Sequence, residues 1–464
     1  MNRTRLNRRD ILRSTLAGAA AVALPGAANA IAEARWTFPA PAIPSTLAGD
    51  QLAWALAQVN DAALSLTERE LRGHFTDAFL SGLPPVDLLG VFRNYLAPNG
   101  PMQVARFEGA VTETRAQAIL TAPGSDWRVT LAAEPGSGGI SALFFEPIVL
   151  PQPLPKQITS WNPIARRLAK LAPMVSFFAG EIIDGKLVSL YEHEPDHTLS
   201  IASSFKLYVL AELGRQIGSG KASWDEPLAI RDDLRSLPNG LMRLEATGAT
   251  FPIRHFAEQM ISDSDNTATD HLIARLGRRN IERAFARYGN ATPDRNIPLL
   301  MTREWFAMRM RLTAPEIEGY LAQDVAGKRA FLAGRIAAEA NTLSEVEPWP
   351  GGFFLDRIEW FASAADLARV LTALHVMADG DGLRPIHDAL SMNAGIAFDA
   401  RTWAYVGYKA GYETGVKSNA WLLQSGDGRW FVLAALINDL QQEIDGIGLN
   451  QLVMPAVWLL ANRA

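Results

Sequence analysis

Ser203-Ser204-Phe205-Lys206, running into Leu207-Tyr208-Val209-Leu210-Ala211, is the stretch on which the reading of this chain turns. Its apolar spacing predicts a helix from Ser203 to Ile217. Ser203 and Lys206 are three apart, so on a helix they share a face. A serine hydroxyl is a poor nucleophile until a neighbouring base takes its proton. A lysine that is desolvated, or held beside other cations, can be neutral enough to be that base. An N-capping serine followed by a surface lysine would spell the same four letters, so the pattern needs company.

Two further stretches supply it. Ser264-Asp265-Asn266 follows the apolar face Phe256, Met260 and Ile261 and leads into Thr267-Ala268-Thr269-Asp270-His271-Leu272. It falls inside a helical segment expected over 253–277, and alone it reads as a polar loop capping the next helix. Lys409-Ala410-Gly411 lies just before two expected C-terminal strands, 420–424 and 430–436, and is followed by Gly415-Val416-Lys417-Ser418-Asn419. Alone it reads as a strand with a glycine bend.

Together, in this order, the three resemble the S-x-x-K, S-D-N and K-T-G set of class A β-lactamases and penicillin-binding proteins. The likeness covers residues 156–464. It implies an acyl-enzyme mechanism with Ser203 as nucleophile and Lys206 as the base or relay for its proton. Ser264 would carry a proton toward the leaving group, and Lys409 would supply positive charge to a substrate carboxylate. Asn266, Gly411 and Tyr412 would bind substrate. Asn266 would hydrogen-bond the substrate amide, and the backbone N–H groups of Ser203 and Tyr412 would form the oxyanion hole.

The pattern departs from the family in two places. Ala410 stands where a Thr or Ser hydroxyl is usual. No Glu-x-x-Leu-Asn loop occurs between Asn266 and Lys409, although in class A enzymes that glutamate activates the deacylating water. Glu304 and Glu359 lie in the right stretch without the loop context, and each reads first as a helix-surface or ion-pair residue. Ser363-Ala364-Ala365-Asp366 is expected to start the helix that normally follows that loop. Residues near 297–355 would then be an inserted helical segment.

Upstream, residues 47–96 show helical spacing, and 103–107, 116–120, 127–132 and 140–145 read as short strands. This gives a small α+β domain over 46–146. Four prolines between Pro147 and Pro155 predict a stiff linker over 147–155. The second domain, 156–464, opens with a helix near 161–171. Strands follow at 174–183 and 187–192, joined by Asp184-Gly185. The expected fold class is therefore α+β, with a central antiparallel sheet drawn from both ends of the second domain and an all-helical region between. This architecture resembles a two-domain serine-hydrolase group named for an accessory protein of the clavulanic acid gene cluster. In that group an isomerase/cyclase-like domain precedes the class A-like one. In the first domain His74 and Asp77, three apart on an expected helix, are the closest approach to an acid/base pair, and a solvated polar face explains them as well.

The 464 residues are 48% hydrophobic and 20% charged, the profile of a globular chain rather than a disordered one. There are no cysteines, which excludes disulfides, thiolate metal sites and a Cys nucleophile. Asn7-Arg8-Arg9-Asp10-Ile11, an apolar run to Leu24 and Ala28-Asn29-Ala30 resemble a twin-arginine export signal over 1–30, cut after Ala30. Residues 1–30 hold five Arg and one Asp, so their removal takes the net charge from −5 to −9. Neither value suits a nucleic-acid binder.

The seven His are scattered and no phosphate-cradling glycine loop occurs, so no metal and no cofactor is expected. The expected function is that of an exported, periplasmic or secreted, serine hydrolase acting on a small β-lactam or ester, with slow β-lactam turnover. A non-hydrolytic β-lactam or cell-wall binding protein and a D-Ala carboxypeptidase share the motifs. No membrane span is expected in the mature chain.

Overall fold

The computed structural model describes residues 41–108, 110–123, 126–148, 160–237, 240–342, 354–396, 398–399, 401–442 and 444–462. The expected export signal, and the part of the expected linker beyond Ile148, lie outside these residues. The described chain forms two compact units that divide between Leu150 and Pro151.

In the first unit, helices α1 (Leu47–Val59), α2 (Glu68–His74), α3 (Asp77–Gly82) and α4 (Pro85–Val91) precede a sheet of β1 (Gln103–Phe107), β2 (Arg115–Thr121), β3 (Asp126–Ala133) and β4 (Ile140–Ile148). The strands pair antiparallel in sequence order. Leu52, Leu56, Leu71, Leu88 and Phe92 from the helical half meet Val104, Leu120, Val129, Leu131 and Ile140 from the sheet in one core. β4 runs two residues into the expected linker, and it is an edge strand, where Pro147 costs no ladder bond. His74 and Asp77 do not share a helix. Phe75 is extended, and Thr76 caps a new helix by accepting the Phe79 N–H. The His74 ring instead stacks on Trp54 at 3.8 Å, with Nδ1 2.9 Å from Gln51 Oε1.

The second unit is built on a five-stranded antiparallel sheet. Helix α5 (Asn162–Leu171) leads into β5 (Met174–Ile183) and β6 (Lys186–His193). Asp184 and Gly185 both have positive φ, 51° and 70°, the hairpin geometry that Asp-Gly favours. A two-residue strand β7 (Leu199–Ser200) precedes the turn 202–205 and helix α6 (Lys206–Gly218). Next come β8 (Pro227–Ala229), β9 (Thr250–Pro252), α7 (Ile253–Ser262), α8 (Asn266–Leu276) and α9 (Arg278–Arg287). The helical segment expected over 253–277 is thus two helices, broken at 263–265. The expected helical insertion contains α10 (Thr302–Arg311), α11 (Ala314–Leu321), α12 (Val325–Phe331) and α13 (Ala337–Ala340). It is followed by β10 (Phe361–Ala362), α14 (Ala364–Ala378) and α15 (Pro385–Ser391). Ser363 caps α14 in a capping box with Asp366. Finally β11 (Trp403–Glu413), β12 (Val416–Ser425) and β13 (Trp430–Asn438) return to the sheet, and α16 (Gly446–Ala461) closes the unit.

The strand order is β11-β12-β13-β5-β6. β13 is apolar on both sides: Val432, Ala434 and Leu436 pack into the core of α6 and α14, while Leu433, Ala435 and Ile437 pack under α5 and α16. A strand covered on both faces reads as a continuous apolar run, as this one does. In α6 every residue from Lys206 to Gly214 is buried, so this helix is the axis of the unit. No helix among the described residues is long and apolar enough to cross a membrane.

β7 is tied to both sides of the unit. Ser200 and Leu199 pair with Phe361 and Ala362. The buried Asn438 amide accepts the Ser200 N–H at 3.0 Å and donates to the Ser200 carbonyl at 3.1 Å. Asn438→Ala strands both groups in the interior, and it is expected to destabilise the protein by about 2–3 kcal/mol. Urea unfolding checks this: the midpoint should fall while the slope stays the same.

Candidate active site

The chain reverses sharply before Ser203. Ile201 donates its N–H to the Trp360 carbonyl at 2.9 Å, and Ala202 takes a left-handed φ of 44°. Residues 202–205 form a single tight turn, and the α-helix starts only at Lys206. Phe205 anchors the turn by stacking on Trp360, with ring centroids 4.1 Å apart and 7° between planes. Ser203 is left half-buried at the surface of the core.

Lys206 is fully buried, and its Nζ is surrounded by neutral acceptors. It lies 3.0 Å from Ser203 Oγ, 2.7 Å from the Ser264 carbonyl, 3.0 Å from Ser264 Oγ and 2.7 Å from Asn266 Oδ1. Burial pushes its pKa from 10.5 down to about 7, against the pull of the more distant Asp265 and Asp270 carboxylates. Those carboxylates are committed elsewhere. Asp265 caps α8 through the Ala268 N–H at 2.7 Å and accepts the Met242 N–H at 2.8 Å. Asp270 accepts the Thr302 and Arg303 N–H groups at 2.8 and 2.9 Å.

Ser264 sits at a φ of 56°, in the break between α7 and α8. Its hydroxyl bridges two lysines, with Lys206 Nζ and Lys409 Nζ each at 3.0 Å. Lys409 also donates to the Ala410 carbonyl at 2.8 Å. Burial, then the charges of Lys206 and Lys417, hold its pKa well below the ordinary lysine range. Two ammonium groups around one hydroxyl penalise double protonation, so each lysine makes the other easier to neutralise. Asn266 is fixed by donating from Nδ2 to the Leu237 carbonyl at 2.6 Å.

β11 is an edge strand, and its C-terminal part runs against the turn at 202–205. A Cβ on Gly411 would lie 2.0 Å from the Ile201 carbonyl and 2.9 Å from Ser203 N. Only glycine fits there. Tyr412 projects its ring outward, 52% exposed, with Lys417 Nζ 5.5 Å from the ring centre. Ala410 packs against the α5/α16 side of the sheet, where it offers no hydroxyl.

The sequence-derived set Ser203, Lys206, Ser264, Asn266, Lys409 and Gly411 is therefore brought together around one hydroxyl, and Tyr412 follows on the same strand. The two candidate glutamates separate. Glu304 spends both oxygens, on Arg278 Nη2 at 2.6 Å and on the Met301 N–H at 2.9 Å, as the cap of α10. Glu359 lies directly behind the turn at 202–205, with Oε2 3.1 Å from Ala202 N and 2.9 Å from Trp360 N. Supporting residues that the motifs do not name include Ser418, whose hydroxyl donates to the Ile201 carbonyl at 2.6 Å and lies 2.6 Å from Ser204 Oγ. Its neighbours Lys417 and Asn419 are polar as well, so no local signal set it apart.

A family model described as "Beta-lactamase enzyme family" matches residues 162–451, more than half of the chain, and the chain belongs to that family. A second model, "ORF 12 gene product N-terminal", matches residues 43–136. Among curated proteins none matches. Solved structures that align with the chain include a PBP-A variant as an acyl-enzyme with penicillin G, at 14% identity and TM-score 0.42, covering 64% of this chain and 96% of that one. A β-lactamase from Sphaerobacter thermophilus aligns at 17% identity and TM-score 0.45, covering 64% and 96%. A β-lactamase from Chitinophaga pinensis aligns at 13% identity and TM-score 0.44, covering 65% and 98%.

Gly411→Ala tests the close approach of β11. The added methyl must displace the turn at 202–205, so any labelling of Ser203 by an acylating probe should fall by about 100-fold. Active-site labelling by a fluorescent penicillin or a fluorophosphonate measures this.

Proposed function

We propose that the protein is an exported active-site serine hydrolase that forms an acyl-enzyme on a β-lactam or ester substrate and releases it slowly. The observation that carries this reading is Lys206 Nζ, 3.0 Å from Ser203 Oγ and with a pKa lowered to about 7. Above that pH the lysine is mostly neutral, and a neutral lysine in hydrogen-bond reach of a serine is a general base.

In the first step Ser203 Oγ gives its proton to Lys206 Nζ and bonds to the substrate carbonyl carbon. The oxyanion is held by the N–H groups of Ser203 and, as the resemblance implies, Tyr412. The carbon–nitrogen bond of the lactam, or the carbon–oxygen bond of an ester, then breaks. Ser264 Oγ, between the two lysines, passes a proton to the leaving atom and is reprotonated from Lys206. Lys417 supplies positive charge beside the site, and an anionic substrate docking next to Lys409 favours that lysine's protonated form. A lactam leaves nothing behind on ring opening, so the enzyme gains the whole mass of the drug, whereas an ester loses its alcohol.

Deacylation needs a water molecule activated at the acyl carbon. The family's loop glutamate has no counterpart in the sequence, and Glu304 is fully engaged elsewhere. Both facts support a long-lived acyl-enzyme. The match of residues 43–136 to the ORF 12 gene product N-terminal model supports grouping the chain with the two-domain clavulanic-acid-cluster accessory proteins. The paired arginines and the Ala28-Asn29-Ala30 site support export to the periplasm or beyond.

Intact-mass spectrometry after incubation with a penicillin, and separately with a simple ester, tests the reading. A single adduct on Ser203 that persists for minutes or longer is expected, and Ser203→Ala should carry none. An unmodified protein would refute acylation, and rapid loss of the penicillin adduct would refute slow release.

The pH dependence has a fixed sign. Lys206 must be unprotonated to accept the serine proton, so the acylation rate should rise through about pH 7 and level off above it. Lys206→Arg, which stays charged, should abolish the rise and leave a flat rate about 10³-fold below the unmutated plateau above pH 7. Stopped-flow labelling from pH 5.5 to 9 checks both.

A further inference from the structure

Behind the nucleophile turn lies a carboxyl group that the steps above leave unused. Glu359 is 4% exposed. Its Oε2 accepts two backbone N–H groups, from Ala202 at 3.1 Å and from Trp360 at 2.9 Å. Its Oε1 has no hydrogen-bond partner among the described residues. The charged groups facing it are Arg309 from α10, which attracts it electrostatically, and Glu413 from β11, which pairs with Arg309 at 3.3 Å. Leu355 and Val416 pack around the Ala202 methyl on the apolar side.

The placement matters because of Ala202. Its φ of 44° lies in the left-handed region, which residues other than glycine, asparagine and aspartate rarely occupy. Such a conformation persists only where the surroundings over-determine it, and here it sits one residue before the nucleophile. The flanking hydrogen bonds belong to other atoms: the Ile201 N–H goes to the Trp360 carbonyl and the Ser204 N–H to the Ile201 carbonyl. The Ala202 N–H is held by Glu359. Ionised, it is a stronger acceptor than a peptide carbonyl; burial pushes its pKa up to about 7 against the pull of the two N–H groups and Arg309, and the Oε2 atom can accept the Ala202 N–H in either protonation state.

We propose that Glu359 is a positioning residue for acylation: by holding the Ala202 N–H it keeps Ala202 left-handed, and so fixes the directions of Ser203 Oγ and the Ser203 N–H. The proposal rests on Ser203 being the acylated residue, and labelling of the unmutated protein tests that separately. Its distinctive consequence is conformational. Glycine adopts positive φ at no steric cost, so glycine at 202 should make the glutamate largely dispensable. A glutamate needed only to fill its buried site would show no such rescue.

The test uses the mature chain and a fluorescent penicillin at several concentrations, giving a maximal acylation rate and a half-saturating concentration. Glu359→Ala should lower the maximal rate by about 100-fold while changing half-saturation by less than about 3-fold, since Asn266, Lys409 and Tyr412 are untouched and only Ser203 is misdirected. Glu359→Gln keeps an acceptor oxygen and should stay within about 5-fold of the unmutated rate. The double variant Glu359→Ala with Ala202→Gly should regain at least about 10-fold over Glu359→Ala alone. A wild-type rate in Glu359→Ala overturns the proposal, as does a slow Glu359→Ala that glycine at 202 does not rescue. Should Glu359→Ala fail to fold by thermal melting, the folded glutamine variant decides: a near-wild-type rate supports the proposal, and a hundredfold loss overturns it. If the unmutated protein takes no label, the acylation reading has failed instead.

Discussion

A lysine buried without a carboxylate in contact is the constraint around which the second unit is arranged. Lys206 belongs to a helix buried along most of its length, and among the described residues its Nζ is met by two hydroxyls, a carbonyl and an amide oxygen. Neutral acceptors satisfy its hydrogen bonds but do not repay the desolvation of its charge, so the proton is loosely held. Direct contact with Asp265 or Asp270 would reverse that balance. The fold avoids it by giving both carboxylates backbone N–H groups at the starts of α8 and α10. The arrangement sacrifices stability, as functional sites commonly do, and the apolar packing on both faces of the sheet offsets the loss.

Three segments far apart in sequence have to converge to make this environment, and each does so through an unusual backbone feature. The turn at Ala202 and Ser203, the left-handed Ser264 between two helices, and the side-chain-free Gly411 on an edge strand meet within hydrogen-bond distance of one another. The surrounding rings make these features rigid. Trp360 stacks on Phe205 and packs near Trp305, whose Nε1 donates to the Ile358 carbonyl at 3.1 Å. The inserted helix α10 thereby supports the segment that runs behind Ser203.

Much of this was legible in the sequence, for reasons that can be named. Ser203, Lys206, Ser264, Asn266, Lys409 and Gly411 stand in short motifs, and motifs survive because chemistry fixes residue type and spacing locally. β5 was readable from 174 to 183 because its apolar run ends at Asp184-Gly185. β11 was not readable from its start at Trp403, because its small and polar positions follow the needs of an edge beside the site rather than an alternating pattern. Likewise, nothing near His74 announced that Thr76 would cap a new helix. Glu359 was visible only as one of two glutamates in a plausible stretch. Its hydrogen bond to Ala202 spans 157 positions, and no local pattern encodes a contact of that range. The hydroxyl of Ser418 is legible only in three dimensions for the same reason.

The ionisation of Lys206 itself is the most direct measure of the account. Lysine labelled with ¹³C at Cε, followed by NMR across pH 5–11 and assigned with Lys206→Arg, reports that one group among all the lysines. A midpoint close to the value of about 7 set by its burial is the expected result. A Lys206 that stays protonated to about pH 10, like a lysine in water, would contradict it and leave Ser203 without a base.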